Sequence, residues 1–95
     1  MRAKLNPNKE ALLNARLFLL PYREESFFVW KALDRIARFV RSGGCDSDTE
    51  VKLFLWELAN LGQGAWEAGD STGAQSIADC VESACRALGL ESPWS

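Results

Sequence analysis

Apolar residues recur at intervals of three and four along four stretches of the chain, and proline, glycine and capping residues mark the breaks between them. That is the pattern of amphipathic helices. In the first stretch, Asn6-Pro7 sets an N-cap ahead of a proline at the first helical position. Ala11, Leu12, Ala15, Phe18 and Leu19 keep the helical period up to Pro21, and the residue before a proline avoids helical backbone. A helix is expected over residues 7–20. A second is expected over residues 22–42, with Pro21 and the acids Glu24 and Glu25 at its positive end. Tyr22, Val29, Trp30, Leu33, Ile36, Ala37 and Val40 form its apolar stripe, and Gly43-Gly44 stops it.

Ser47-Asp48-Thr49-Glu50 reads as a capping box, in which Ser47 and Glu50 each satisfy the other's backbone donor. It opens a helix over residues 48–68 with Val51, Phe54, Leu55, Leu58, Leu61, Ala65 and Trp66 on its apolar arc. Gly69 closes that helix, and Asp70 or Ser71 caps a fourth over residues 71–88. The stripe of the fourth is mostly small: Ala74, Ile77, Ala78, Val81, Ala84, Cys85 and Leu88. Gly89 is its stop, and Leu90 is placed to pack back on the last turn. No segment alternates with a period of two, and no hairpin turn signal occurs. Short connections make consecutive helices antiparallel neighbours. The expected fold is all-α, a compact antiparallel bundle of about four helices in one domain, with the first helix as an accessory.

Within this pattern, Leu61-Gly62, Ala65, Gly69, Ala74 and Ala78 match the spacing of small and apolar positions in one hairpin of about twenty residues in a tetratricopeptide repeat. The aromatic residue is displaced to Trp66, the end of the repeat does not fit, and no second repeat follows. The likeness is that of a tight helical hairpin and not of membership in that family. Gly62 lies on the apolar arc, as a close helix crossing requires, whereas Gly64 lacks that justification and is expected to weaken or bend the helix.

Charge changes the picture more than composition does. Residues 1–42 carry nine basic and four acidic residues, whereas residues 43–95 carry two basic and nine acidic ones, for a total of −2. Lys31, Arg35 and Arg38 follow helical spacing on the second helix, with Arg41 adjacent. Such a face contacts a partner's carboxylates or the phosphates of nucleic acid. Asp34 on the same side, the acidic second half and a linker longer than a helix-turn-helix turn argue against nucleic acid. The plainest reading is a solvated face whose charges pair with the acidic half of the same fold. Leu53 and Trp56 project from the polar side of the third helix, marking either a second packed surface or a binding surface.

Catalytic chemistry finds little support. The chain has no histidine, the commonest acid/base group and metal ligand. Cys45 lies beside Asp46, which opposes thiolate formation, and just before a helix start, which favours it. Cys80 and Cys85 have no second ligand pair for zinc. An odd cysteine count without a secretory signal argues against a disulfide framework and for a reducing, cytoplasmic setting. Leu61-Gly62-Gln63-Gly64 lacks the lysine and spacing of a phosphate loop. No catalytic site, cofactor or metal is expected. The expectation is a noncatalytic protein-protein interaction module, an adaptor or inhibitor of a larger assembly. One such role is a phage or mobile-element inhibitor of host defence, such as an anti-CRISPR protein. Its contact residues are Lys31, Arg35, Arg38, Arg41, Leu53 and Trp56, facing an acidic protein surface. A nucleic-acid-binding regulator is the alternative, a homodimer stays open, and no membrane contact is expected.

Overall fold

The computed structural model describes residues 6–94, so Arg2 and Lys4 of the basic half lie outside the described residues. The fold is all-α. Among the described residues its four helices are α1 (Pro7–Ala15), α2 (Phe27–Arg41), α3 (Asp48–Glu67) and α4 (Ser71–Leu88). Three 3-10 turns, Arg16–Phe18, Leu20–Tyr22 and Gly44–Asp46, punctuate them.

The expected helices over 7–20 and 22–42 are both shorter in the structure. Pro21 has no N–H to continue an α-helix from residue 17, and its ring would strike that carbonyl. The chain therefore tightens into 3-10 turns, with Leu19 N–H bonded to the Arg16 carbonyl at 2.9 Å and Tyr22 N–H to the Leu19 carbonyl at 3.0 Å. Leu19 is buried by this path, while Leu17, Phe18 and Tyr22 are exposed. α2 starts only after Ser26, whose hydroxyl oxygen accepts from the Val29 N–H at 3.2 Å. Tyr22, Glu24 and Glu25 consequently precede the helix and do not form its first turn. The capping box at α3 is half made: Ser47 accepts from the Glu50 N–H at 3.2 Å, but the Ser47 N–H bonds to the Gly44 carbonyl.

Helix α4 is the centre of the bundle, touching α1, α2 and α3, with α3 its most extensive neighbour and α1 second. α1 is thus a full member of the fold and not an accessory. One core joins Leu12 and Leu19 to Val29 and Ile36 of α2, Leu55 and Leu58 of α3, and Ile77 and Val81 of α4. Each such side chain withdrawn from water is worth roughly 1.5–3 kcal/mol. Cys80 also belongs to this core, and Ala84 is fully buried, whereas Ala74 and Ala78 sit at its edge, half-buried. At Gly62 an added Cβ would stand 3.1 Å from Ile77 Cγ2, so α3 and α4 do cross closely there. At Gly64 nothing demands a glycine, and α3 runs on unbroken.

Side-chain amides close the bundle at its other end. Asn6 caps α1, its Oδ1 accepting from the Asn8 N–H at 2.8 Å. The Nδ2 groups of Asn6 and Asn8 both donate to the Cys45 carbonyl, at 3.1 and 3.0 Å. Asn8 also reaches the Asp48 carboxylate at 2.9 Å. The start of α1 is thereby fastened to the turn between α2 and α3.

Candidate functional site

The narrow inward stripe of α2 is Val29, Ala32 and Ile36, with Leu33 and Val40 at its margins. Counting by helical turns from Phe27 places Lys31, Asp34, Arg35, Arg38 and Arg41 on the outward side. Two large aromatic residues share that side. Phe27 and Trp30 are 66% and 54% exposed, which removes Trp30 from the stripe in which the periodicity placed it. Ala37 is also exposed. Val29, Ala32 and Ile36 face the core with Phe28, Leu33, Phe39 and Val40 flanking them, and Trp30, one step around from Val29, lies beyond that arc in solvent.

The outward face has internal order. Phe27 and Trp30 lie nearly parallel, 13° apart with centroids at 6.3 Å. The Lys31 ammonium stands 5.3 Å from the Phe27 ring centroid, within cation–π range. Phe28 meets Phe27 edge-on at 6.1 Å and turns inward towards α3. Further along, Arg38 Nε pairs with Asp34 Oδ2 at 3.0 Å. Among the described residues this is the one ion pair, and none joins the basic half of the chain to the acidic half. Among the described residues Arg35 and Arg41 have no carboxylate partner within that range. The face therefore presents cations and two stacked rings together to solvent. Arg38 and Arg41 also complement the negative end of the helix dipole, a role that leaves their head groups outward.

Leu53 and Trp56 do not share this surface. The α3 residue that meets α2 is Phe54, stacked on Phe39 with centroids at 4.2 Å and planes 6° apart. Trp56 lies about 200° around α3 from Phe54, pointing away from α2. It borders a cleft with Lys52, Leu55 and the segment that follows α4. Leu53, one turn earlier, is exposed as well. The six residues expected to form one contact surface thus divide into the α2 cations and an outer pair on α3. Phe27 was the missing member. Its helical register with Lys31 and Arg38, together with the cap signal at Ser26, places it outward.

The thiols are held in their neutral form. Burial pushes Cys80 up to about 12. Burial and the Asp46 carboxylate raise Cys45 against an opposing pull from Lys9, and burial with Glu82 raises Cys85. All three are buried, the opposite of the exposed, electropositive setting of a reactive cysteine. Among the described residues no cluster of three or more histidine, cysteine, aspartate or glutamate side chains is placed to hold a metal ion, and no helix is long and apolar enough to cross a membrane. No protein-family model, curated protein or solved structure matches the chain.

Proposed function

We propose that the chain is a noncatalytic protein-binding module, an adaptor or inhibitor of a larger assembly, and that it grips an acidic partner surface with the outward face of α2. The observation that carries this reading is the stacked, solvent-facing pair Phe27 and Trp30 beside Lys31, Arg35, Arg38 and Arg41. Aromatic and arginine side chains are the favoured anchors of protein interfaces. The cations steer encounter with an acidic surface, and the rings supply apolar area that a charge cluster lacks. The absence of ion pairs to the acidic half, among the described residues, favours a partner over intramolecular neutralisation. An inhibitor of a host defence complex, of the anti-CRISPR kind, is one role for such a module.

A nucleic-acid-binding regulator is the second reading, favoured by the same interleaving of rings and cations, because bases stack on aromatic side chains while cations follow the phosphates. Two folded variants test both. For a protein partner recovered by affinity capture, Arg35→Glu/Arg38→Glu should slow association and weaken its salt dependence, while Phe27→Ala/Trp30→Ala should mainly speed dissociation. Unchanged affinity in both variants overturns the assignment. Binding to single-stranded DNA or RNA that falls steeply with salt, and is lost on charge reversal, moves the conclusion to the second reading.

A further inference from the structure

The basic and acidic halves of the chain do not neutralise each other within one copy. Among the described residues the one ion pair is Arg38 with Asp34, both on α2. The acidic half instead carries a row of its own on the outside of α3. Counting by helical turns from Phe54 places Leu53, Trp56, Glu57, Asn60 and Glu67 on the side turned away from the core. All five are exposed, Leu53 at 61% and Trp56 at 54%. Glu50, two turns before Glu57, lies exposed along the same edge as Glu57. Lys52, the one cation of α3, stands at the opposite edge, beyond Trp56.

This row answers the outward face of α2 in charge and in spacing. On α2, Lys31 and Arg38 share one edge and are seven residues apart, and Trp30 lies at the other edge. On α3, Glu50 and Glu57 share one edge and are seven residues apart, and Trp56 lies at the other. Seven residues span about 10.5 Å of helix axis in both cases. When two helices pack face to face and antiparallel, edges of the same hand come together. One antiparallel register therefore sets Lys31 opposite Glu57 and Arg38 opposite Glu50, and it brings Trp30 within about 3 Å, along the axis, of Trp56. Two charge pairs and an aromatic pair are met by a single alignment. Within one copy this alignment cannot form, because Trp56 points away from α2.

We propose that the acidic partner surface gripped by α2 is the outer face of α3 on a second copy of this chain. The proposal rests on the α2 reading and names its partner. Like faces exclude each other: α2 on α2 sets arginine against arginine, and α3 on α3 sets glutamate against glutamate. The contact is therefore between unlike faces. Each copy keeps one α2 face and one α3 face free to take further copies, so association runs head to tail and grows in series. The charges steer the encounter and fix the register, while Trp30, Trp56 and Leu53 supply apolar area to hold it.

The test is sedimentation velocity of the full chain between about 10 μM and about 1 mM, at salt of about 0.02 M and about 0.5 M. At low salt the average mass should climb with concentration past that of two chains, and at high salt it should fall towards that of one. Lys31→Glu/Arg38→Glu and Glu50→Lys/Glu57→Lys alter exposed or half-buried groups and keep the fold. Each alone should stay a single chain, and an equal mixture of the two should associate again, because each reversed face then meets its opposite. Trp56→Ala should weaken association on the order of tenfold or more. Single-chain mass at every concentration overturns this inference and leaves the α2 reading to be judged by Arg35→Glu/Arg38→Glu against a captured partner. Assembly that survives either reversal, that is not restored by mixing, or that stops at two chains also overturns it.

Discussion

The hydroxyl of Ser26 donates to the carboxylate of Asp70, so the residues that cap α2 and α4 also bind each other. Ser26 accepts from the Val29 N–H, and Asp70 Oδ1 accepts from the Gly73 N–H at 2.9 Å. Two positive helix ends thus converge on one carboxylate, which favours both dipoles. Removing either side chain strips a cap and leaves the other short of a partner. Ser26→Ala and Asp70→Ala should each cost about 1–3 kcal/mol. Their double variant should cost less than the sum, with a coupling of about 0.5–3 kcal/mol read from denaturation midpoints.

The same junction explains one glycine and not another. A Cβ at Gly73 would run into the Ser26 hydroxyl and the Asp70 carboxylate, whereas a Cβ at Gly64 would meet only the Phe28 ring at 3.6 Å, an ordinary contact. Gly73→Ala should destabilise by about 1–3 kcal/mol. Gly64→Ala, in the middle of α3, should stabilise by about 0.5–1 kcal/mol. Chemical denaturation of the two variants distinguishes steric need from mere tolerance.

Cys80 links stability to alkaline pH. Its thiol stays protonated in the fold up to about 12, against 9.0 for a free thiol. Between those values the unfolded chain has lost the proton and the folded chain has kept it, so stability falls as pH rises. The contribution is complete below 9.0 and gone once the folded thiol ionises near 12. Cys80→Ala should flatten the decline in denaturation midpoint over that window, and an unchanged slope would assign the decline to other groups.

On α2, position around the helix and not side-chain size should set the cost of truncation. Trp30→Ala removes a ring that touches Phe27 and water, and should change stability by less than about 1 kcal/mol. Ile36→Ala, one side chain smaller at the start, should cost about 2–5 kcal/mol because it empties a fully enclosed site. Thermal melts of the two variants check this order.

Four helices, their buried arcs and most of their caps could be read from the chain because period and punctuation agreed there. Asn6, Ser47 and Asp70 each accept the expected N–H, and Gly43 and Gly89 both take positive φ. The failures share a cause. Around Pro21 the apolar period ran on, but the missing N–H governed the backbone and produced 3-10 turns. Trp30 and Trp66 satisfied the helical period yet ended outside, since periodicity assigns a direction and neighbouring helices decide how wide the buried arc becomes. The basic face of α2 was visible in residue spacing. Its pairing with Phe27 and Trp30 depended on where the helix began, which Ser26 settles through a bond to a residue distant in sequence. The return of residues 90–93 past the end of α4 had no signal beyond Gly89 and Leu90, because it depends on bonds back to Cys85 and Glu82 that exist only in the folded chain.

The amide clamp at the Cys45 carbonyl bears on the order in which the chain assembles. It joins positions 37 and 39 residues apart, whereas α3 and α4 adjoin through a three-residue connection. Ordering so long a loop costs entropy before any contact compensates it. The α3–α4 hairpin is therefore positioned to form early, and α1 docks last along α4, carrying the clamp with it. Hydrogen exchange should show two classes of amide, with those of α1 released through a partial opening that leaves Leu58 and Val81 protected. Replacing Asn6 and Asn8 by alanine should accelerate exchange in α1 without a matching change in α3, making the first helix a detachable latch on an otherwise persistent three-helix body.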